Sequence, residues 1–278
     1  MQTISSCLSP VGSIFFCKSD TGLGNALFQI ASVYGISKTL GIQCTFPRVQ
    51  HYIDELNKLN YDHGNTILRN IPVWGKEVAF DTLDENFLND GIDYNKRYNP
   101  KLISLIKESQ KNCMIRGHLE DYTYFETVFD DIKALFECDP VTRKKIDQRY
   151  GYILNTGNTV AVHFRDYSKV NNRFLDIIPD FYKRTIRYFK EKLVNPIFLI
   201  FTDNKNCVDL SLFDSCIYLF IQNEADYIDL YCMSLCKHAI ISQSTFSWWA
   251  CFLNDNPDKV VLYDKKYTYN YLKMFTAI

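Results

Sequence analysis

Apolar residues follow two spacings along this chain. Short consecutive runs mark buried strands at 13–17 (SIFFC), 42–46, 113–116, 159–165 (TVAVHFR), 196–201, 216–221, 239–241 and 259–263. Between them, apolar positions three and four apart mark helices. From Ala26, residues Leu27, Ile30, Ala31 and Tyr34 share one face, and Gly41 closes that helix. Further helices are predicted over 102–110, 128–136 and 140–150, the last opened by Pro140 in its first turn. Phe181, Ile186 and Phe189 point inward from a helix over 180–192, and Leu230, Met233, Leu235 and Cys236 form the stripe of another. An apolar helix over 246–253 carries Trp248 and Trp249, which read as core. Residues 48–100 show no strong period and suggest irregular structure around Trp74, Phe80 and Phe87.

Strands alternating with helices over 159–263 predict a doubly wound, mostly parallel sheet. The strand, Gly loop, helix and strand of 13–46 open a first α/β unit. The turn at 155–158 places the boundary, giving domains 1–154 and 155–278. A length of 278 residues suits that division.

Apolar residues make up 47% and charged residues 23%, a globular composition. A net charge of −1 argues against nucleic acid, and no polybasic run argues for an anionic membrane. No apolar run reaches the roughly 20 residues of a membrane helix. The N-terminus makes a poor signal peptide, so a cytoplasmic location is expected, with peripheral membrane association left open. Ten cysteines then read as reduced thiols. Cys232 and Cys236 stand four apart on a helix, but no CxxC and no His pair completes a metal set.

Polar residues gather after three strands: His163 and Arg165, then Asp203 and Asn204, then residues 242–247 (SQSTFS). In a parallel sheet these ends share one edge. A buried guanidinium needs an anionic partner, and hydroxyls before a helix either cap its free N–H groups or help them hold a phosphate. An Arg, hydroxyls and a helix N-terminus together suit a diphosphate. There is no Walker motif and no Asp-x-Asp after an apolar strand. A leaving diphosphate would thus be neutralised by Arg and helix dipole in place of a divalent cation. Asp203 either joins this edge or caps the following helix. His163 is open to a site role or a core role, and His238 reads as a partner for a helix C-terminus. Residues 22–24 (GLG) fit a tight strand-to-helix turn or, weakly, a nucleotide loop, because Leu27 stands where a third Gly would.

Several blocks resemble glycosyltransferase family 11, the α-1,2-fucosyltransferases. The run DLYCMSLCKHAIISQSTFSWWACFLN at 229–254 resembles the family's C-terminal motif, and GLGNALFQ at 22–29 its N-terminal loop. Gly117 through Tyr124 and Phe125 resembles a mid-chain Gly-x6-Tyr-Phe segment, and Val162, His163, Phe164 and Arg165 the start of His-x-Arg-Arg-Gly-Asp-Tyr. The resemblance spans about 13–267 and is weakest over 48–100. It implies a GT-B-like fold: two Rossmann-like α/β domains with the donor site in the cleft between them. It implies GDP-fucose as donor, a galactose 2-hydroxyl in a glycan as acceptor, inversion, and no metal or other cofactor. On that carry-over Arg165 binds the diphosphate, and Ser244, Thr245 and Ser247 hold phosphate oxygens. Gly24 and Asn25 line the cleft, and Asp203 and Asn204 lie beside the nucleotide. Asp166, His163 and Asp121 are candidate proton acceptors.

This chain departs from the family after Arg165, where Asp166 and Tyr167 follow directly. One positive charge beside the diphosphate is lost unless Lys169 or Arg173 replaces it. Ala26 also stands where the family has Gln. The departure keeps two alternatives open: transfer of another GDP-deoxyhexose or to another acceptor position, and a sugar-binding protein without catalysis.

Overall fold

The structure is a computed structural model and describes residues 2–6, 22–46, 49, 53–54, 62–71, 81–84, 98–166, 179–222, 225–267 and 269–278. The strand expected at 13–17, the loop residues before Gly22, Trp74, Phe80, Phe87, Tyr167, Lys169 and Arg173 lie outside these residues.

The chain forms two compact units, Met1–Glu137 with Tyr269–Tyr271, and Cys138–Thr268 with Leu272–Ile278. This division precedes the helix Pro140–Leu154, whereas the boundary read from the turn at 155–158 follows it. The turn marks the end of that helix, and the helix itself packs with the second unit.

In the first unit, β1 (Thr3–Ser6), β2 (Gln43–Thr45), β3 (Asp81–Asp84) and β4 (Cys113–Arg116) form a parallel sheet in the order β2-β1-β4-β3. Helix α1 (Leu23–Leu40) is buried on nearly every side, as a helix apolar all round must be. It ends at Gly41, whose φ of 64° is the left-handed conformation that glycine adopts without strain. Gly35 lets α1 touch the backbone of the turn Tyr122–Tyr124 and the residue after it. A Cβ there would lie 2.2 Å from the Tyr124 carbonyl oxygen and 2.6 Å from the Phe125 Cα. The Gly-x6-Tyr-Phe segment is therefore one surface against which α1 docks. Gly35→Ala gains about 1 kcal/mol of helix propensity, but the backbone on the far side has no flexible end to move. Net destabilisation of about 1–3 kcal/mol is expected in urea unfolding, the range of overpacked cores. Helices α2 (Pro100–Ser109) and α3 (Phe129–Leu135) belong to the same unit.

In the second unit, β5 (Thr159–Phe164), β6 (Ile197–Thr202), β7 (Ile217–Ile221), β8 (His238–Ile240), β9 (Val261–Tyr263) and β10 (Thr276–Ala277) form a six-stranded parallel sheet. The order is β10-β9-β8-β5-β6-β7. β5 is buried at every position, which is why Val160, Ala161 and Val162 follow one another with no polar residue between them. The connecting helices are α4 (Pro140–Leu154), α5 (Pro179–Lys192), α6 (Asp226–Ser234) and α7 (Thr245–Phe252). Phe181, Ile186 and Phe189 of α5 meet Val160, Val162, Phe198 and Ile240 in one apolar cluster. No helix among the described residues is long and apolar enough to cross a membrane.

Candidate functional site

From β5 the chain moves outward through β6 to β7, then β8 returns to the other flank of β5. The crossovers part between β5 and β8. Open parallel sheets bind ligands outside the strands' carboxyl ends at such a switch point. His163, Ser242 and Arg165 stand there. The His163 Nδ1 and the Ser242 hydroxyl are hydrogen-bonded at 2.8 Å, which ties the ends of β5 and β8 together. The Tyr182 hydroxyl donates to the His163 carbonyl at 2.7 Å.

Beyond β5, Arg165 Nη1 pairs with Asp203 Oδ2 at 2.7 Å. Asp203 Oδ1 accepts the Asp166 backbone N–H at 3.0 Å, and Asn204 Nδ2 donates to Asp166 Oδ2 at 2.8 Å. The Arg165 and Asp203 side chains are part-exposed. Such a pair adds only about 0–1 kcal/mol of stability. Its larger effect is to freeze an arginine side chain that otherwise carries about 2 kcal/mol of rotamer entropy. Asp203 does not cap a helix; the neighbouring Asn204 does so, accepting from Asn206 N–H at the turn Lys205–Cys207.

Burial, and secondarily the Arg165 charge, push the His163 ring down to about 3. At neutral pH it is uncharged and a poor proton acceptor. Below pH 6.5 the unfolded imidazole takes up a proton that the folded one refuses until about pH 3, so this group costs stability as pH falls through that window. His163→Asn keeps a polar atom facing Ser242 and does not titrate. Its melting temperature is expected to drop less than that of the unsubstituted chain between about pH 7 and about pH 4.

Ser244 is the N-cap of α7, with its side chain accepting from Phe246 N–H at 3.3 Å. Thr245 opens the helix, where first-turn N–H groups lack intrahelical acceptors. Ser247 departs from the role expected of it. It is fully buried, and its hydroxyl donates to the Ser244 carbonyl at 3.1 Å, so it braces the cap and does not face a phosphate. Trp248 and Trp249 are fully buried.

Gly24 and Asn25 belong to the first unit, within the first turn of α1 and not in a loop before it. Asp121 is fully buried, and its carboxylate accepts from Tyr98 N–H at 2.7 Å, Thr123 N–H at 3.0 Å and Asn270 Nδ2 at 2.6 Å. It anchors structure in the first unit and is a poor choice for a proton acceptor. His238 lies in β8, not at a helix end; its Nδ1 accepts Val260 N–H at 3.1 Å. Ser242 lies in the polar run marked by the sequence, but its pairing with His163 carries no local signal, and neither does Tyr182 as donor to the His163 carbonyl. Among the described residues no group of three His, Cys, Asp or Glu side chains could hold a metal ion, and every described cysteine is a free thiol.

The model of glycosyl transferase family 11 matches residues 20–274. The chain belongs to this family. It is therefore a glycosyltransferase, in keeping with the motifs at both ends of the match. The O-antigen biosynthesis glycosyltransferase WbnK of Escherichia coli is 26% identical, with 88% of this chain and 92% of WbnK aligned. The alpha-1,2-colitosyltransferase of Escherichia coli is also 26% identical, with 87% and 88% aligned. Among solved structures, a mutant of Arabidopsis thaliana FUT1 in complex with GDP has a TM-score of 0.55 at 11% identity, covering 94% of this chain and 70% of that one. The apo-form of POFUT1 has a TM-score of 0.51 at 11% identity, covering 95% and 98%. These likenesses establish the GT-B-like α/β fold.

Proposed function

We propose that this family 11 glycosyltransferase moves L-fucose from GDP-β-L-fucose to the 2-hydroxyl of a galactoside, inverting the anomeric carbon in one displacement and using no metal ion. The observation that carries the reading is the His163 to Ser242 hydrogen bond at the switch point. It brings together two strand ends, so that Arg165 and the Ser244 cap each follow two residues on. A fixed guanidinium and a helix start at one edge suit a leaving diphosphate, where negative charge grows as the glycosidic bond breaks. In this reading Arg165 neutralises the β-phosphate, and Ser244, Thr245 and the first N–H groups of α7 hold phosphate oxygens. Gly24 and Asn25 enter the donor set through the resemblance alone.

A second reading is transfer of another GDP-linked deoxyhexose. It is favoured by the colitosyltransferase relative and by the single arginine where the family motif has two. Presenting GDP-fucose and other GDP-deoxyhexoses to a panel of galactosides, with linkage analysis of the products, separates the two. The first reading expects GDP-fucose to be consumed and an α-1,2-linked galactoside formed. Consumption of a different GDP-deoxyhexose alone replaces the first reading with the second. A galactoside that binds with no GDP released from any donor contradicts both and leaves a sugar-binding protein.

A further inference from the structure

We propose that Asp166, Asp203 and Asn204 form a clasp that aims Arg165, and that all three are positioning residues that neither touch the donor nor take the acceptor's proton. This rests on the reading above that Arg165 faces the GDP diphosphate. The ladder between β5 and β6 ends with Phe164 opposite Thr202. The next two ranks are joined by polar groups instead: Arg165 with Asp203, then Asp166 with Asn204. The clasp also crosses between ranks, because Asp203 holds the Asp166 N–H.

The bonding capacity of these groups is largely spent inside the clasp. Asp203 uses one oxygen on Arg165 and the other on Asp166. Asn204 gives its amide N–H to Asp166 and accepts with its Oδ1 from Asn206. Its backbone is locked as well: Asn204 N–H donates to the Thr202 hydroxyl, and the Thr202 hydroxyl and Cys207 thiol both lie on the Asn204 carbonyl. Asp166 is buried, with its N–H and one carboxylate oxygen committed. A carboxylate so held is suited to fixing a neighbour's geometry.

The test combines GDP titration calorimetry with turnover. Asp203→Ala, Asn204→Ala and Asp166→Ala are each expected to lower kcat by about a hundredfold, the cost of misplacing a reacting group by about 1 Å. The GDP Kd should stay within about threefold, because a loosened Arg165 is offset for Asp203→Ala by removal of a negative charge near the diphosphate. Asp166→Asn keeps an oxygen to accept from Asn204. It is expected to restore most of the turnover lost in Asp166→Ala, with an unchanged pH profile. A kcat as low in Asp166→Asn as in Asp166→Ala would make Asp166 the base and overturn the proposal. A GDP Kd about tenfold weaker (roughly 1.4 kcal/mol) in Asp203→Ala or Asn204→Ala would make that residue a donor contact and also overturn it.

A wild-type chain that fails to bind GDP would sink the functional reading instead. The clasp is then read without ligand. The losses in melting temperature of Asp166→Ala and Asn204→Ala are expected to be non-additive in the double variant. Strict additivity would contradict the clasp.

Discussion

Arg165→Ala is expected to lower turnover of GDP-fucose by about a hundred- to a thousandfold, the loss seen when one fixed donor to a developing anion is removed. The fold should survive. Arg165 is part-exposed, and its ion pair with Asp203 is of the kind that contributes about 0–1 kcal/mol. The melting temperature should therefore move little while activity collapses. Arg165→Lys keeps the charge but not the planar fork that can serve a carboxylate on one edge and a phosphate on another. It should recover only part of the loss. Steady-state rates of GDP release for the three proteins check this, and near-normal turnover by Arg165→Ala would remove that residue from the site.

Trp248→Ala is expected to cost about 3–5 kcal/mol, in the range for truncating a buried large aromatic. Trp248 is fully buried. It stacks on Phe252 with ring centres 5.1 Å apart and planes 9° apart, and meets Trp249 edge-on at 5.1 Å and 86°. Helix α7 has only 8 residues, too few to hold itself together without tertiary packing. Losing this anchor should loosen the turn that carries Ser244 and Thr245. With total stabilities of about 5–15 kcal/mol, a large share of the fold's margin would go. Trp248→Phe retains a ring against Phe252 and should cost less. Urea unfolding of both variants checks the order, and a loss under about 1 kcal/mol for Trp248→Ala would show that the helix is held by something else.

The centre of the second sheet was legible in the sequence because β5, β6 and β8 are almost wholly buried, whereas the exposed edge strand β10 has no apolar run to mark it. β5 and β6 have no alternation to interpret, only apolar runs with polar residues at their ends. β1 was not legible: Thr3–Ser6 contains one apolar residue, and its strand character comes from pairing with β2 and β4. The start of α1 was displaced for a related reason. Glycines at 22 and 24 suggest a loop, yet the helix runs from Leu23, with Gly24 buried inside it. At the site, the sequence marked residue types at strand ends but not their pairings. Nothing local shows that Asp203 meets Arg165, since that follows from the register of β5 against β6. Nor does it show that the Ser247 hydroxyl turns back onto Ser244, although a serine three residues after an N-cap often has that carbonyl within reach.

GDP titration calorimetry on the whole chain in the presence of EDTA tests the donor site most directly. The account predicts one GDP bound per chain without any divalent cation, with affinity reduced in Arg165→Ala. No heat of binding at any attainable GDP concentration, or binding that appears only when a divalent metal is restored, would contradict it.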